Sequence, residues 1–135
     1  MRRILSVALV CLLSVAGVAQ KKTGEDGVEV IYFHGKQRCA TCMAIEKNAR
    51  EVVRDGFAGQ AKAGKVRFRV VDISTDEGAK LAKAYRVSWS SLYVNRWKGG
   101  KETRCDMTRF GFANARNRAD EFRKGLKEKI IEQLK

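Results

Sequence analysis

The stretch Val28-Glu-Val-Ile-Tyr-Phe33, running into Cys39-Ala-Thr-Cys42, constrains this chain more than any other. Six residues rich in β-branched and aromatic side chains predict a strand buried on both faces. Beyond the C-x-x-C, Ile45, Ala49, Val52 and Val53 recur at helical spacing, with Glu46, Lys47, Arg50, Glu51 and Arg54 on the remaining surface. The two thiols therefore fall on the first turn of a helix that follows a buried strand. At that spacing they can close a disulfide without rearranging the backbone. Unsatisfied N–H groups at the helix start, together with Arg38 and Lys36, favour the thiolate form of Cys39, the form that attacks disulfides. Cys39 is expected at the exposed tip and Cys42 on the buried side.

The N-terminus has the parts of an export signal. Met1-Arg-Arg is followed by an apolar run from Ile4 to Val18 and by small residues near Ala19. That run is short for a membrane span, which takes about 20 apolar residues. Residues 1–19 are expected to be a signal peptide, 20–27 a flexible leader and 28–135 the domain; an uncleaved anchor is the alternative. The mature protein is then expected to be periplasmic or secreted, where disulfides persist. Cys11 is lost with the signal. Cys39, Cys42 and Cys105 remain, an odd set that resembles one working pair plus a spare rather than a disulfide framework.

The formal charge is +13, or +11 once Arg2 and Arg3 leave with the signal. Its basic residues are scattered along the chain, which describes a solvated basic surface. No nucleic-acid-binding motif is present, and no nucleic-acid partner is expected.

Farther along, Val66 to Ile73 predicts a second strand after a loop marked by Gly56, Gly59 and Gly64. Ser74-Thr-Asp-Glu77 has the capping-box pattern and should start a helix carrying Leu81, Ala82 and Tyr85. Ser91 to Trp97 and Lys101 to Met107 predict strands joined by a turn at Gly99-Gly100. A last helix, about 118–134, places Phe122, Leu126, Ile130 and Leu134 on one stripe. The order β-α-β-α-β-β-α predicts an α/β fold: a four-stranded mixed sheet with helices on both faces. Right-handed crossovers would make the first two β-α-β links parallel pairs, with the hairpin adding an antiparallel edge.

This order, with C-x-x-C after the first strand, resembles the thioredoxin superfamily in its minimal form, over roughly 28–134. Val71-Asp72-Ile73 and Ala79 to Val87 are similar to the family's second strand and the helix leading to its active-site loop. Within the superfamily, Tyr32 to Cys42 and Ser88 to Asn95 resemble a small exported group, the ArsF family labelled nitrophenyl-compound nitroreductase subunit. The resemblance implies a thiol-disulfide oxidoreductase or redox-partner protein without a cofactor. Its partners would be exported protein substrates or a redox partner protein, with a membrane thiol reductant as the electron source. Cys39 would be the nucleophile and Cys42 the resolving thiol. The sequence carries no signal for an oligomeric state.

Three departures bear on that likeness. The family's cis-proline loop reads Val87-Ser88-Trp89-Ser90-Ser91-Leu92 here, and the chain contains no proline. Ser90 takes that place, where a cis bond would cost about 3–4 kcal/mol, so a trans bond and a reshaped loop are favoured. Trp89, Ser90 and Ser91 are the candidate substrate-binding residues. The family's buried acid near the inner cysteine is also missing, with Tyr32 or Phe33 in its place. Finally, the intervening Ala40-Thr41 pair matches neither familiar family pair and assigns no redox direction.

Arg38 and His34 are the residues expected to tune the thiols. His34, the single histidine, is a candidate proton shuttle, a candidate third metal ligand, or a hydrogen-bonded structural residue. Phe110 and Phe112 are candidates for partner docking or for packing on the sheet. Two alternatives stand beside redox catalysis. One is a Cu(I)- or Zn(II)-binding, metallochaperone-like domain using the same thiols. The other is a non-catalytic subunit that binds partners through its basic surface.

Overall fold

The computed structural model describes residues 25–135. The expected signal segment, Cys11 and the leader up to residue 24 lie outside the described residues. Nine elements follow: β1 (Gly27–His34), α1 (Ala40–Gly56), α2 (Ala58–Lys62), β2 (Val66–Asp72), α3 (Asp76–Tyr85), β3 (Ser91–Lys98), β4 (Lys101–Asp106), α4 (Thr108–Asn114) and α5 (Ala119–Leu134). The strands form one mixed sheet in the order β2-β1-β3-β4, the four-stranded α/β architecture expected of a minimal thioredoxin-like fold. Among the described residues no helix is long and apolar enough to cross a membrane.

Strand β1 is central, and its six interior residues are buried. Successive side chains of a strand point to opposite faces. Val28, Val30 and Tyr32 accordingly enter the larger core with Cys42, Ile45, Ala49, Phe122, Leu126 and Ile130. Ile31 and Phe33 enter a smaller core with Val71, Ala82 and Tyr85. Helices α1 and α5 therefore cover one face of the sheet and α3 the other. Each fully buried Leu, Ile or Phe side chain contributes about 1.5–3 kcal/mol.

Strand β3 corrects the expected topology. It pairs antiparallel with β1, Ser91 opposite Phe33 and Trp97 opposite Gly27, whereas β2 pairs parallel with β1. The handedness rule governs links between parallel strands and says nothing when the chain re-enters reversed. Arg86 ends α3 in the left-handed conformation (φ 56°), and the chain then enters β3 at the C-terminal end of β1. The antiparallel direction thus sets the Trp89–Ser91 segment at the same end of the sheet as the C-x-x-C.

Local details differ elsewhere. The five-residue α2 occupies the expected glycine loop, and α4 occupies the expected link before α5. The cap of α3 is Thr75, whose Oγ1 accepts from the Gly78 N–H at 3.0 Å, while Ser74 donates to Asp72 at 2.6 Å. The capping-box glutamate is displaced by Gly78, where a Cβ would lie 1.8 Å from the Asp72 carbonyl oxygen. Leu134, expected on the buried stripe of α5, is its last residue and is exposed. Gly99 and Gly100 (φ 58° and 77°) make the hairpin turn, as that turn type requires.

Candidate functional site

Cys39 is the N-cap of α1 (φ −76°, ψ 166°), and its Sγ accepts from the Cys42 N–H at 3.2 Å. The sulfur does there what a serine or aspartate oxygen does at other helix starts. No acidic residue occupies the first turn of α1 to oppose a negative sulfur. Both cysteines are free thiols, Cys39 exposed and Cys42 buried, as the helical periodicity predicts. Their Sγ atoms lie 2.7 Å apart, within a small side-chain movement of the roughly 2.05 Å disulfide bond.

Burial pushes the Cys42 thiol up. Its contacts with the Cys39 sulfur and with the Ser90 and Tyr32 hydroxyls outweigh burial and hold it below the ordinary thiol value. Exposure makes Cys39 the sulfur that meets a substrate. Tyr32, on β1 directly below, is fully buried, and burial pushes its phenol up to about 12. Its hydroxyl approaches Ser90 and Cys42 without reaching hydrogen-bond geometry to either. Tyr32 therefore stands on the cysteine side of β1, where the family resemblance places a buried acid. The chain does bury a carboxylate on this strand, Glu29, but its odd position in the alternation puts it on the α3 face.

Arg38 corrects one expectation. Its Nη2 donates to Glu46 Oε2 at 2.8 Å, and Glu46 also faces Arg50 at 3.6 Å. The cation beside Cys39 is thus largely neutralised by a carboxylate nearly two helical turns into α1. Lys36 has no ion-pair partner among the described residues. His34 ends β1 with its Nδ1 donating to the Gly35 carbonyl at 3.0 Å. Among the described residues no group of three or more His, Cys, Asp or Glu is gathered as a metal site. His34 therefore does not join Cys39 and Cys42 as a third ligand.

A groove of about 460 Å3 runs over the thiols, lined by Gln37, Arg38, Cys39, Cys42, Trp89 and Phe112. Trp89 is 63% exposed and stacks on Phe112 with ring centroids 5.8 Å apart. Ser90 is buried behind it, no cis peptide bond occurs among the described residues, and Ser91 Oγ donates to the Trp89 carbonyl at 3.1 Å. The structure thus brings Arg38, Cys39, Cys42, Trp89 and Ser90 together. It sets Ser91 one step back in β3, and His34 apart. Phe112, one of the two docking candidates, lines the groove, and Gln37 is the lining residue that the sequence carried no signal for. The two phenylalanines of α4 divide, Phe110 stacking on Phe122 in the core and Phe112 facing the groove. Cys105, on the outer strand β4 opposite Val94, packs partly buried against the larger core.

No family model and no curated protein matches this chain. Among solved structures, a thioredoxin from Thermus thermophilus is similar at 22% identity, over 79% of this chain and 76% of that one, with a TM-score of 0.48. Chloroplastic thioredoxin z is similar at 17% identity, over 60% of this chain and 66% of that one, with a TM-score of 0.42. A malarial protein is similar at 19% identity, over 74% of this chain and 97% of that one, with a TM-score of 0.44. The sheet order of this chain and its C-x-x-C at the start of α1 define its class, a thioredoxin-like domain bearing an accessible dithiol. The narrower likeness to the nitroreductase-subunit group finds no support in these comparisons.

Proposed function

We propose that this chain is an exported thiol-disulfide oxidoreductase whose working pair is Cys39 and Cys42. The observation that carries this reading is the placement of the pair. One sulfur is exposed at a helix N-cap, and the other lies 2.7 Å away and is buried. An exposed thiolate can enter a substrate, and a covered partner can displace it without leaking to solvent thiols.

In the reducing direction, the Cys39 thiolate attacks a substrate disulfide. A Cys39–substrate bond forms, and the first substrate sulfur leaves as a thiolate that takes up a proton. Cys42 loses its proton and attacks Cys39 Sγ, closing the Cys39–Cys42 bond and releasing the second substrate sulfur. Two electrons pass to the substrate. The reverse sequence oxidises a substrate dithiol. Trp89 and Phe112 form the apolar wall against which the substrate chain lies, with the Ser90–Ser91 segment beside it, Ser91 tying down the Trp89 carbonyl. Substrates are exported proteins or a redox partner protein, and a membrane thiol reductant returns electrons to the pair. The basic leader at Met1-Arg-Arg and the apolar run after it support export.

Among the described residues no third His, Cys, Asp or Glu joins the two thiols, so metal carriage, the second reading, would rest on the two sulfurs alone. Turnover of a protein disulfide with dithiothreitol as reductant tests the proposal. Wild-type protein should turn over, and Cys39→Ser should lose all of that activity. Equal rates for the two proteins would refute it.

A further inference from the structure

Tyr32 is 0% exposed, yet its hydroxyl has no hydrogen-bond partner while both thiols are reduced. Buried hydroxyls are normally paired, and an orphan at a reactive centre calls for an explanation. Tyr32 lies in the same core cluster as Cys42, and its hydroxyl faces Cys42 and Ser90. Of the charged or titratable groups at this end, Arg38 lies beside Tyr32 with its Nη2 committed to Glu46 and its Nε unpartnered. His34 stacks on the Tyr32 ring at 6.2 Å, with Asp72 and Lys36 farther out. Ser90 and the apolar Phe112 complete the surround.

We infer that the Tyr32 hydroxyl is a positioning donor for the Cys42 sulfur, engaged when Cys39 is tied up in a mixed disulfide. This rests on the oxidoreductase reading above. In the dithiol form the Cys42 sulfur has the Cys39 sulfur 2.7 Å away to share its proton. Once Cys39 is bonded to a substrate sulfur, that sharing ends, and Cys42 must give up its proton to water from a buried position. A thiolate there needs donors, and beside the Ser90 hydroxyl the buried, unpartnered O–H facing this sulfur is that of Tyr32. Because burial keeps that phenol protonated far above neutral pH, it donates and does not act as the base. The Cys42 thiolate then attacks Cys39 Sγ, the Cys39–Cys42 bond forms, and the substrate sulfur departs and is protonated. Tyr32 keeps its proton throughout.

The test is stopped-flow reaction with 5,5′-dithiobis(2-nitrobenzoate), in the full chain with Cys11→Ser and Cys105→Ala. One thionitrobenzoate is released when Cys39 attacks and a second when Cys42 resolves, so the two steps are timed separately. Tyr32→Phe should change the first release much less than the second, because in the dithiol form the Cys39 sulfur and Ser90 act on Cys42 more strongly than Tyr32 does. One hydrogen bond to a charged sulfur corresponds to about tenfold in thiolate population, so the pH midpoint of the second release should rise by about one unit. The more basic thiolate is also the better nucleophile. The variant should therefore resolve about threefold more slowly below the midpoint, and no more slowly above it. Incorporation of 3-fluorotyrosine at position 32, a stronger donor, should move the midpoint the other way. Wild-type protein that never gives the second release refutes the oxidoreductase reading. Two normal releases, with the same second-step midpoint in Tyr32→Phe, overturn the role of Tyr32 alone.

Discussion

Trp89 lies nearly flat on Phe112, the ring planes 18° from parallel, although one residue precedes β3 and the other sits in α4. The pair forms a wall shared by the thiol groove and by a second groove of about 440 Å3 that includes Arg86 and Arg109. An exposed indole held by stacking is a large apolar anchor with little freedom left to lose on binding. Trp89→Ala should raise KM for a protein disulfide about tenfold, corresponding to an ordinary anchor residue. Reduction of a small aromatic disulfide should change far less, and the melting temperature should barely move because most of the side chain is already in solvent. Steady-state kinetics with both substrates checks this.

Glu46 neutralises the guanidinium nearest Cys39 through a 2.8 Å contact. Removing that negative charge leaves Arg38 free to act on the sulfurs. Glu46→Gln should speed alkylation of Cys39 by iodoacetamide at pH 6, by about two- to threefold for a partly exposed pair. The gain should shrink in 1 M salt. Alkylation followed by mass spectrometry, in low and high salt, measures both.

Glu29 is buried on the α3 face with Arg67 at 3.7 Å, and burial raises its carboxyl above the ordinary value despite that cation. An acid raised by folding is protonated more readily in the native state than in the unfolded chain. Its contribution to stability is fullest below the unfolded value and is lost as pH rises through the folded one. Glu29→Gln should therefore stabilise the protein at pH 7, and the advantage should vanish toward pH 4. Urea denaturation at the two pH values gives the comparison.

Removing the Tyr32 hydroxyl takes away a buried polar atom that has no partner in the dithiol form. Deleting an unsatisfied group relieves its desolvation cost, so reduced Tyr32→Phe should be as stable as wild type or up to about 1 kcal/mol more stable. Chemical denaturation under reducing conditions tests this independently of any rate.

The parts of the fold legible in the sequence are those set by local chemistry. The apolar run of β1, the helical spacing of Ile45 and Ala49, and the Gly99-Gly100 turn each carry their own signal. The exposed Cys39 and buried Cys42 follow from that helical phase. The direction of β3 was not legible, because it depends on Arg86 adopting φ 56° and on which end of β1 the chain reaches next. The cap of α3 moved from Ser74 to Thr75 because Asp72 engages the Ser74 hydroxyl and backbone N–H. Within the site, the Arg38–Glu46 pairing needed the geometry of the turn into α1. The Trp89–Phe112 contact joins residues that no periodic pattern relates, and the orphaned Tyr32 hydroxyl is a property of packing alone.

The most direct measurement is a redox titration of the protein in dithiothreitol buffers, with the Cys39–Cys42 state read by alkylation and mass spectrometry. The account predicts one reversible two-electron transition in which those two sulfurs, and no others, pass between thiols and a shared bond. Thiols that stay open under oxidising buffer, or a bond that no reductant reopens, would contradict it.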